Sequence, residues 1–242
     1  QAVLVFGATN SGVGFSATTA PQTVRMLQTG EGTVTWNATS TASWLVVSPS
    51  SGSGPAILTV STQFASGLVA SQTAVVTLSL SGAMNATASV SVTLKSLTAG
   101  TAPIGSFDTP LEGSGGITGS LAVTGWAIDD IEVARVRIMR DAVDGEAPGT
   151  LVHVGEADFV EGARPDVAAA NPTAPLSERA GWGYLLLTNF LPSLGNGTFR
   201  LSAFADDVDG HTTLLGTKTI TCTNSTATHP FGAIDTPTQG GT

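Results

Sequence analysis

The sequence predicts an all-β protein built as two antiparallel β-sandwiches in tandem. Three observations predict it. The 242 residues include 35 Thr, which suits pleated, half-buried strands, and 23 Ser, 29 Gly and 12 Pro, which punctuate turns. Short apolar–polar alternations recur between these turn clusters, the mark of many short strands. Charge breaks sharply along the chain. Residues 1–100 contain only Arg25, Lys95 and Glu31, so 7 of the 9 bases and 17 of the 18 acids fall in residues 101–242, a net charge of −10 there. Such a break marks two domains.

Composition also excludes classes. Hydrophobic residues make up 41% against 11% charged, so the chain can bury a core and is not a disordered segment. The net charge of −9 argues against a nucleic-acid partner, which needs a basic footprint. No apolar run is long enough to insert in a membrane. Gln1 opens without a basic n-region, so no signal peptide is expected. Cys222 is the single cysteine, which leaves no internal disulfide and reads as a small buried residue.

The elements follow in order. In residues 1–97, strands are expected over 34–38, 56–61, 74–80 and 88–94, with turns at 30–32, 49–55, 66–67 and 81–85. The run from Leu97 to Pro103 is small-residue and proline-closed, so residues 98–102 form a linker. In residues 103–229, strands are expected over 120–128, 133–139, 151–154, 184–188, 199–205 and 214–221. Arg135, Arg137 and Arg140 are read as one strand face, exposed or paired with carboxylates. Residues 164–175, bounded by prolines, form a long loop with one helical turn. Asp206 to His211 form an acidic hairpin tip.

Pro103–Pro110 (PIGSFDTP) aligns with Pro230–Pro237 (PFGAIDTP), 127 residues later. Residues 230–242 therefore read as the start of a further repeat, and the chain as a fragment of a longer tandem array.

Two resemblances attach to these residues. Ser43-Trp44-Leu45, then Ser48-Pro49 with a Ser-Gly turn, then Leu58-Thr59-Val60 resembles the BACON family, a bacterial immunoglobulin-like module; Gln22-Thr23-Val24 and Thr35-Trp36 fit as well. The resemblance implies an immunoglobulin-like sandwich over most of residues 1–97 and a carbohydrate-binding role. Gly125–Asp130 (GWAIDD) and Phe199–Thr212 resemble tandemly repeated immunoglobulin-like and fibronectin-like modules of large bacterial surface proteins. An insertion at residues 155–182 departs from a minimal repeat of that kind.

Each candidate site residue also has a plainer alternative role. Trp126, Trp182 and Tyr184, with Phe190, are candidate ligand-binding aromatics, since pyranose rings stack on exposed aromatic faces; core packing is the alternative, as it is for Trp36 and Trp44. Asp129, Asp130, Asp206, Asp207 and Asp209 are candidate calcium ligands, because calcium takes six to eight oxygens from such clusters; turn-capping carboxylates are the alternative. His153, His211 and His229 lack any nucleophile signature, and no phosphate-loop, dinucleotide or zinc spacing is present, so no enzyme is expected. No cofactor is expected apart from candidate calcium. The sequence thus reads as a non-catalytic structural or adhesive segment, monomeric and extracellular or on a cell surface, whose partners are glycans or other surface proteins. The alternative is a carbohydrate-binding module associated with extracellular glycan degradation.

Overall fold

The computed structural model describes residues 2–68 and 70–224. The expected repeat start at 230–242 and His229 lie outside the described residues. Among the described residues, nearly all the regular structure is strand, in two bodies with separate cores.

The first body contains β1 (Ala2–Asn10), β2 (Phe15–Thr18), β3 (Gln22–Met26), β4 (Thr35–Ser40), β5 (Leu45–Ser48), β6 (Ser51–Ser53), β7 (Ala56–Thr62), β8 (Gln72–Ser81) and β9 (Thr87–Leu97). One sheet runs β2-β1-β9-β8-β4-β6 and the other β3-β7-β5. Alternation decides which faces meet. Val90, Val92 and Leu94 of β9 and Ala74, Val76 and Leu78 of β8 all point inward, opposite Leu58 and Val60 of β7. All four expected strands are present. The turn expected over 49–55 carries the short strand β6, which pairs with β4 and sets Gly52 directly opposite Trp36. The pairing is antiparallel throughout except β1 on β9, which is parallel from Ala2↔Val90 to Thr9↔Leu97.

The second body contains β10 (Ile104–Thr109), β11 (Ser114–Ile117), β12 (Ser120–Ile128), β13 (Val133–Asp141), β14 (Leu151–Phe159), helix α1 (Pro165–Ala170), β15 (Gly181–Leu187), β16 (Asn196–Asp207) and β17 (Thr212–Thr223). Hydrogen bonds link β10-β12-β15-β14-β13-β16-β17-β11, with the β11–β17 pair parallel. The two ends of this series close over one core. Phe107, Val123, Trp182 and Leu186 pack against Val136, Ile138, Leu201 and Ile220. Cys222 joins that core as a free, buried thiol.

Three expectations need correction. Residues 155–182 are not all insertion, because β14 runs to Phe159 and β15 starts at Gly181. What remains holds α1, with Pro165 at its first turn and Val167 buried against Ile128 and Ala180. The three arginines of β13 do not share a face. Period-two alternation puts Arg135 and Arg137 on the solvent side, whereas Arg140 falls in phase with the buried Val136 and Ile138 and is itself buried. Trp182, expected as a candidate ligand platform, is 2% exposed and tilts against Phe107 in the core.

Two tryptophans use one packing device. In each body an indole lies across a glycine on the paired strand, Trp36 over Gly52 and Trp182 over Gly125. A Cβ on Gly52 would sit 2.4 Å from the Trp36 ring, and one on Gly125 2.4 Å from the Trp182 ring and 2.0 Å from the Ser106 carbonyl oxygen. The Ser106 carbonyl is backbone and has no rotamer to escape into. Gly125→Ala is therefore expected to destabilise the second body by about 1–3 kcal/mol, the usual cost of overpacking. Denaturant melts of wild type and variant measure this, and an unchanged midpoint would contradict the packing described.

Candidate functional site

The five candidate calcium ligands of the second body lie at the end nearest the first. Asp129 and Asp130 follow β12, Asp206 and Asp207 end β16, and Asp209 lies in the β16–β17 tip. Adjacent residues of a strand point to opposite faces, so Asp206 and Asp207 have different fates.

Asp206 belongs to an arginine cluster on the sheet. Arg137 grips it with two bonds of 2.6 and 2.8 Å, Arg135 donates at 2.8 Å, and the Thr212 hydroxyl donates at 2.7 Å. The Arg137 guanidinium, with Thr212 and Arg135, holds this carboxyl well below the usual range. Both oxygens are occupied, which removes Asp206 from the candidate calcium ligands.

Asp207 caps the tip. Its Oδ1 accepts from the backbone N–H groups of Asp209, Gly210 and His211, and its Oδ2 lies 2.9 Å from His211 Nδ1. Burial pushes this carboxyl up, but the His211 backbone N–H and ring outweigh it and leave it low. The hydrogen bond to Asp207 raises His211 in turn. Asp207, Asp209 and His211 each offer a ligand atom within 4.8 Å of the others.

Asp129, Asp130 and Asp209 differ, because each keeps one buried oxygen without a hydrogen-bond partner among the described residues. Asp129 is 6% exposed; its Oδ2 accepts from Ile131 and Glu132 N–H while Oδ1 is left over. Burial, with the Asp130 and Asp207 charges adding, pushes its carboxyl up to about 6. Asp130 Oδ2 accepts from the Thr101 N–H at 3.0 Å and hydroxyl at 2.7 Å. Asp209 Oδ2 packs against Gly100, where a Cβ would meet it at 1.9 Å. Its Oδ1 lies 3.4 Å from His211 Nδ1, an ion-pair contact without hydrogen-bond geometry. Burial and the Asp207 charge raise the Asp209 carboxyl. Asp130 and Asp209 thus touch neighbouring residues of the linker.

The same end meets the first body. The Thr19 hydroxyl accepts from Gly7 N–H at 2.8 Å and donates to the Ile131 carbonyl at 2.6 Å. Ala20 N–H donates to Glu132 at 2.6 Å. Gly7 lies so close that a Cβ there would sit 2.0 Å from the Asp130 carbonyl oxygen. Sequence reasoning missed Thr19, Gly7 and Glu132, since no local pattern distinguishes a junction threonine from the other strand threonines.

The aromatic candidates separate. Trp126 is half-buried against Ile128, Val167 and Ala180. Trp36 and Trp44 are core, their indole N–H groups donating to the Gly54 carbonyl and the Gln72 side chain. Of the predicted ligand aromatics, Tyr184 and Phe190 line a cleft. β14 and β15 pair only at Asp158↔Gly183 and Phe159↔Trp182, then splay apart. Tyr184 lies over Gly155 and donates to the Val154 carbonyl, and beyond it opens a cleft of about 230 Å³ lined by Arg140, His153, Tyr184, Leu187 and Phe190. Arg140 is held there by two 2.6 Å bonds to Glu146.

Comparison with known proteins adds one family match. Residues 7–96 match the family model described as the Viral BACON domain. The first body thus resembles the BACON module that its Trp-Leu, Ser-Pro and Thr-Val motifs predict. No curated protein matches. Among solved structures, a Bacteroides ovatus GH5 xyloglucanase in complex with a heptasaccharide is 23% identical over 46% of this chain, with a TM-score of 0.27, and this chain spans only 20% of it. The fibronectin(III)-like modules of Clostridium thermocellum CbhA are 13% identical over 96% of both chains, with a TM-score of 0.31. A tetra-tandem repeat from a large adhesion protein is 13% identical over 92% of this chain and 50% of its own, with a TM-score of 0.30. All three fall below a TM-score of 0.5, and the fold rests on the strand pairings themselves. The two bodies are immunoglobulin-like β-sandwiches in tandem, and no described helix is long and apolar enough to cross a membrane.

The Arg140–Glu146 pair gives this region a pH dependence. Arg140 holds the Glu146 carboxyl down to about 2, below its ordinary 4.5. A depressed carboxyl stabilises the fold above its unfolded pKa and loses that contribution as pH falls through the folded value. Wild type is therefore expected to melt above Glu146→Gln at pH 6, with the gap closing between pH 4.5 and 2. Calorimetric melts across that range check it, and a gap that widens in acid would contradict the sign.

Proposed function

We infer that this chain is a non-catalytic structural segment of a secreted or surface-anchored multidomain bacterial protein, and that its sandwiches space and present neighbouring adhesive domains. One observation carries the reading. The two bodies meet through main chain and short side chains, Gly7 against Asp130, Thr19 on Ile131 and Ala20 on Glu132, rather than through the linker alone. Domains of one chain move relative to each other unless an interface holds them. A threonine hydroxyl on a carbonyl, an N–H on a carboxylate and the close backbone approach at Gly7 leave little slack, so the junction favours one orientation, as a spacer requires.

The tryptophans support the same reading. A sugar platform needs aromatic faces exposed side by side with polar groups around them. Trp36, Trp44 and Trp182 are each at most 3% exposed. Truncating a tryptophan so buried costs about 3–5 kcal/mol of stability, so these residues serve the fold. Glycans and other surface proteins remain the partners this class of segment takes, through neighbouring domains in the first instance.

A carbohydrate-binding role has one observation in its favour, the β14–β15 cleft. Tyr184 and His153 offer polar tips there, and Phe190 is 85% exposed at its mouth. On a panel of plant and bacterial polysaccharides, the spacer reading expects no saturable binding by the isolated chain. Binding abolished by Tyr184→Ala or Phe190→Ala in a folded protein would establish the module reading instead.

The spacer reading makes a second prediction. With one spin label in each body, wild type is expected to give a narrow distance distribution. Gly7→Ala, which must displace the Asp130 carbonyl, is expected to broaden it while both cores keep their circular dichroism. An equally broad distribution in wild type would sink the reading.

A further inference from the structure

We propose that the free edge of β15 takes up one further β-strand, and that the occupant is residues 231–236 of this chain, which lie beyond the described residues. The inference goes beyond the spacer reading and does not rest on it.

An edge strand exposes a row of N–H and C=O groups, and proteins blunt such edges with charges, prolines or bulges. β14 and β15 present two edges to each other across their cleft. Away from Asp158↔Gly183 and Phe159↔Trp182, β14 pairs with β13 alone and β15 with β12 alone among the described residues. What bridges the gap is a side chain, the Tyr184 hydroxyl on the Val154 carbonyl. The β14 edge is blunted. Its register with β13 slips at Val154, an extra residue between the partners of Ile138 and Met139, and the exposed His153 and Glu156 flank the slip. The β15 edge is not. Tyr184-Leu185-Leu186-Leu187 carries no charge and no proline, and its pairing with β12 runs without a bulge. Leu185 and Leu187 are exposed on its outer face, and the exposed Phe190 lines the same cleft. An open apolar edge of this kind is a template for strand addition, in which main-chain bonds supply affinity and alternate side chains supply selectivity.

Sequence and reach set the occupant. Residues 230–237 (PFGAIDTP) repeat residues 103–110 (PIGSFDTP), and the latter carry β10. The features that fit β10 to its sheet recur. Gly105, where a Cβ would sit 2.2 Å from the Trp126 carbonyl oxygen, corresponds to Gly232, and the buried Phe107 corresponds to Ile234. β10 pairs with β12 alone, so a strand of this kind needs a single neighbour. Alternation puts Phe231 and Ile234 on opposite faces, which makes the segment apolar on both sides, as the β15 edge is. Asn224 fixes where the chain sets out. Its side chain accepts from the Gly119 N–H and the Thr188 hydroxyl and donates to the Leu194 and Gly195 carbonyls. Thr188 directly follows Leu187, so the chain leaves beside the end of β15. The six residues from there to Pro230 span at most about 20 Å. Starting at that end, the strand would run antiparallel to β15, with Phe231 opposite Leu187 and Ile234 opposite Tyr184. That register turns Ile234 toward the cleft and Phe231 toward the exposed leucines.

The test compares the full chain with one ending at His229, which keeps both cores. Deuterium exchange of residues 184–187, read by mass spectrometry, is expected to be at least about tenfold slower in the full chain. Ile234→Asp in the full chain is expected to abolish that protection, and Thr228→Ala, ahead of the strand, to leave it unchanged. Circular dichroism checks that each variant keeps its sandwiches. Equal exchange in the full and shortened chains, or protection that Ile234→Asp leaves intact, overturns the proposal. Protection that rises with protein concentration overturns the assignment to the same chain and gives the edge to the strand of a second copy. The spacer reading survives each of these results.

Discussion

An indole can lie flat against a neighbouring strand only where that strand has no Cβ. Both sandwiches depend on this. Trp36 crosses Gly52 in the first body and Trp182 crosses Gly125 in the second, each as a directly paired residue. In the first body the pair ties the short edge strand β6 to β4 and seals the core from that side. In the second it locks β12 to β15 beneath Phe107, where the two ends of the strand series close on each other. Two bodies with different charge and strand order thus share one solution to burying a residue too large for a thin sandwich. It also explains why the tryptophans are unavailable as a binding face.

The charged residues follow an equally simple constraint. A strand offers alternate faces, and a carboxylate must find its partner on whichever face it occupies. Asp206 faces the sheet surface and finds Arg135 and Arg137 on the neighbouring strand β13. Asp207, one residue on, faces the tip and finds three backbone N–H groups and a histidine. Arg140 is the mirror case. It falls on the inner face of β13 and stays buried only because Glu146 folds back on it from the following loop. Asp129, Asp130 and Asp209, each with a buried oxygen lacking a hydrogen bond among the described residues, lie near the linker and the junction.

Much of this was legible along the chain. The runs around residues 74–80 and 88–94 alternate cleanly because one face is core and the other solvent, and they are β8 and β9. The stretch 120–128 matches β12 to the residue. The acidic tip was legible because Asp-Gly marks a hairpin wherever it stands. β6 was not legible, since Ser51-Gly52-Ser53 reads as turn and becomes strand through its pairing with β4, where Gly52 lies opposite Trp36. The three arginines of β13 were misplaced because their number suggested a cluster, whereas their spacing of two and three places the last on the other face. Trp182, a candidate ligand aromatic with core packing as the alternative, is buried because Gly125 on the paired strand leaves room for its ring.

The sequence by itself determined the class of fold, the two-body division of charge and the position of most strands. Each of these follows from local periodicity or composition, which act within a few residues. Which acids face each other, which aromatics are buried, and that Thr19 meets Ile131 were decided only in three dimensions. Those relations join residues as far as 112 positions apart, and no local pattern carries them. They arise because two folded surfaces meet, and the free energy of that meeting depends on backbone proximity, shape and unpaired charge at the contact itself.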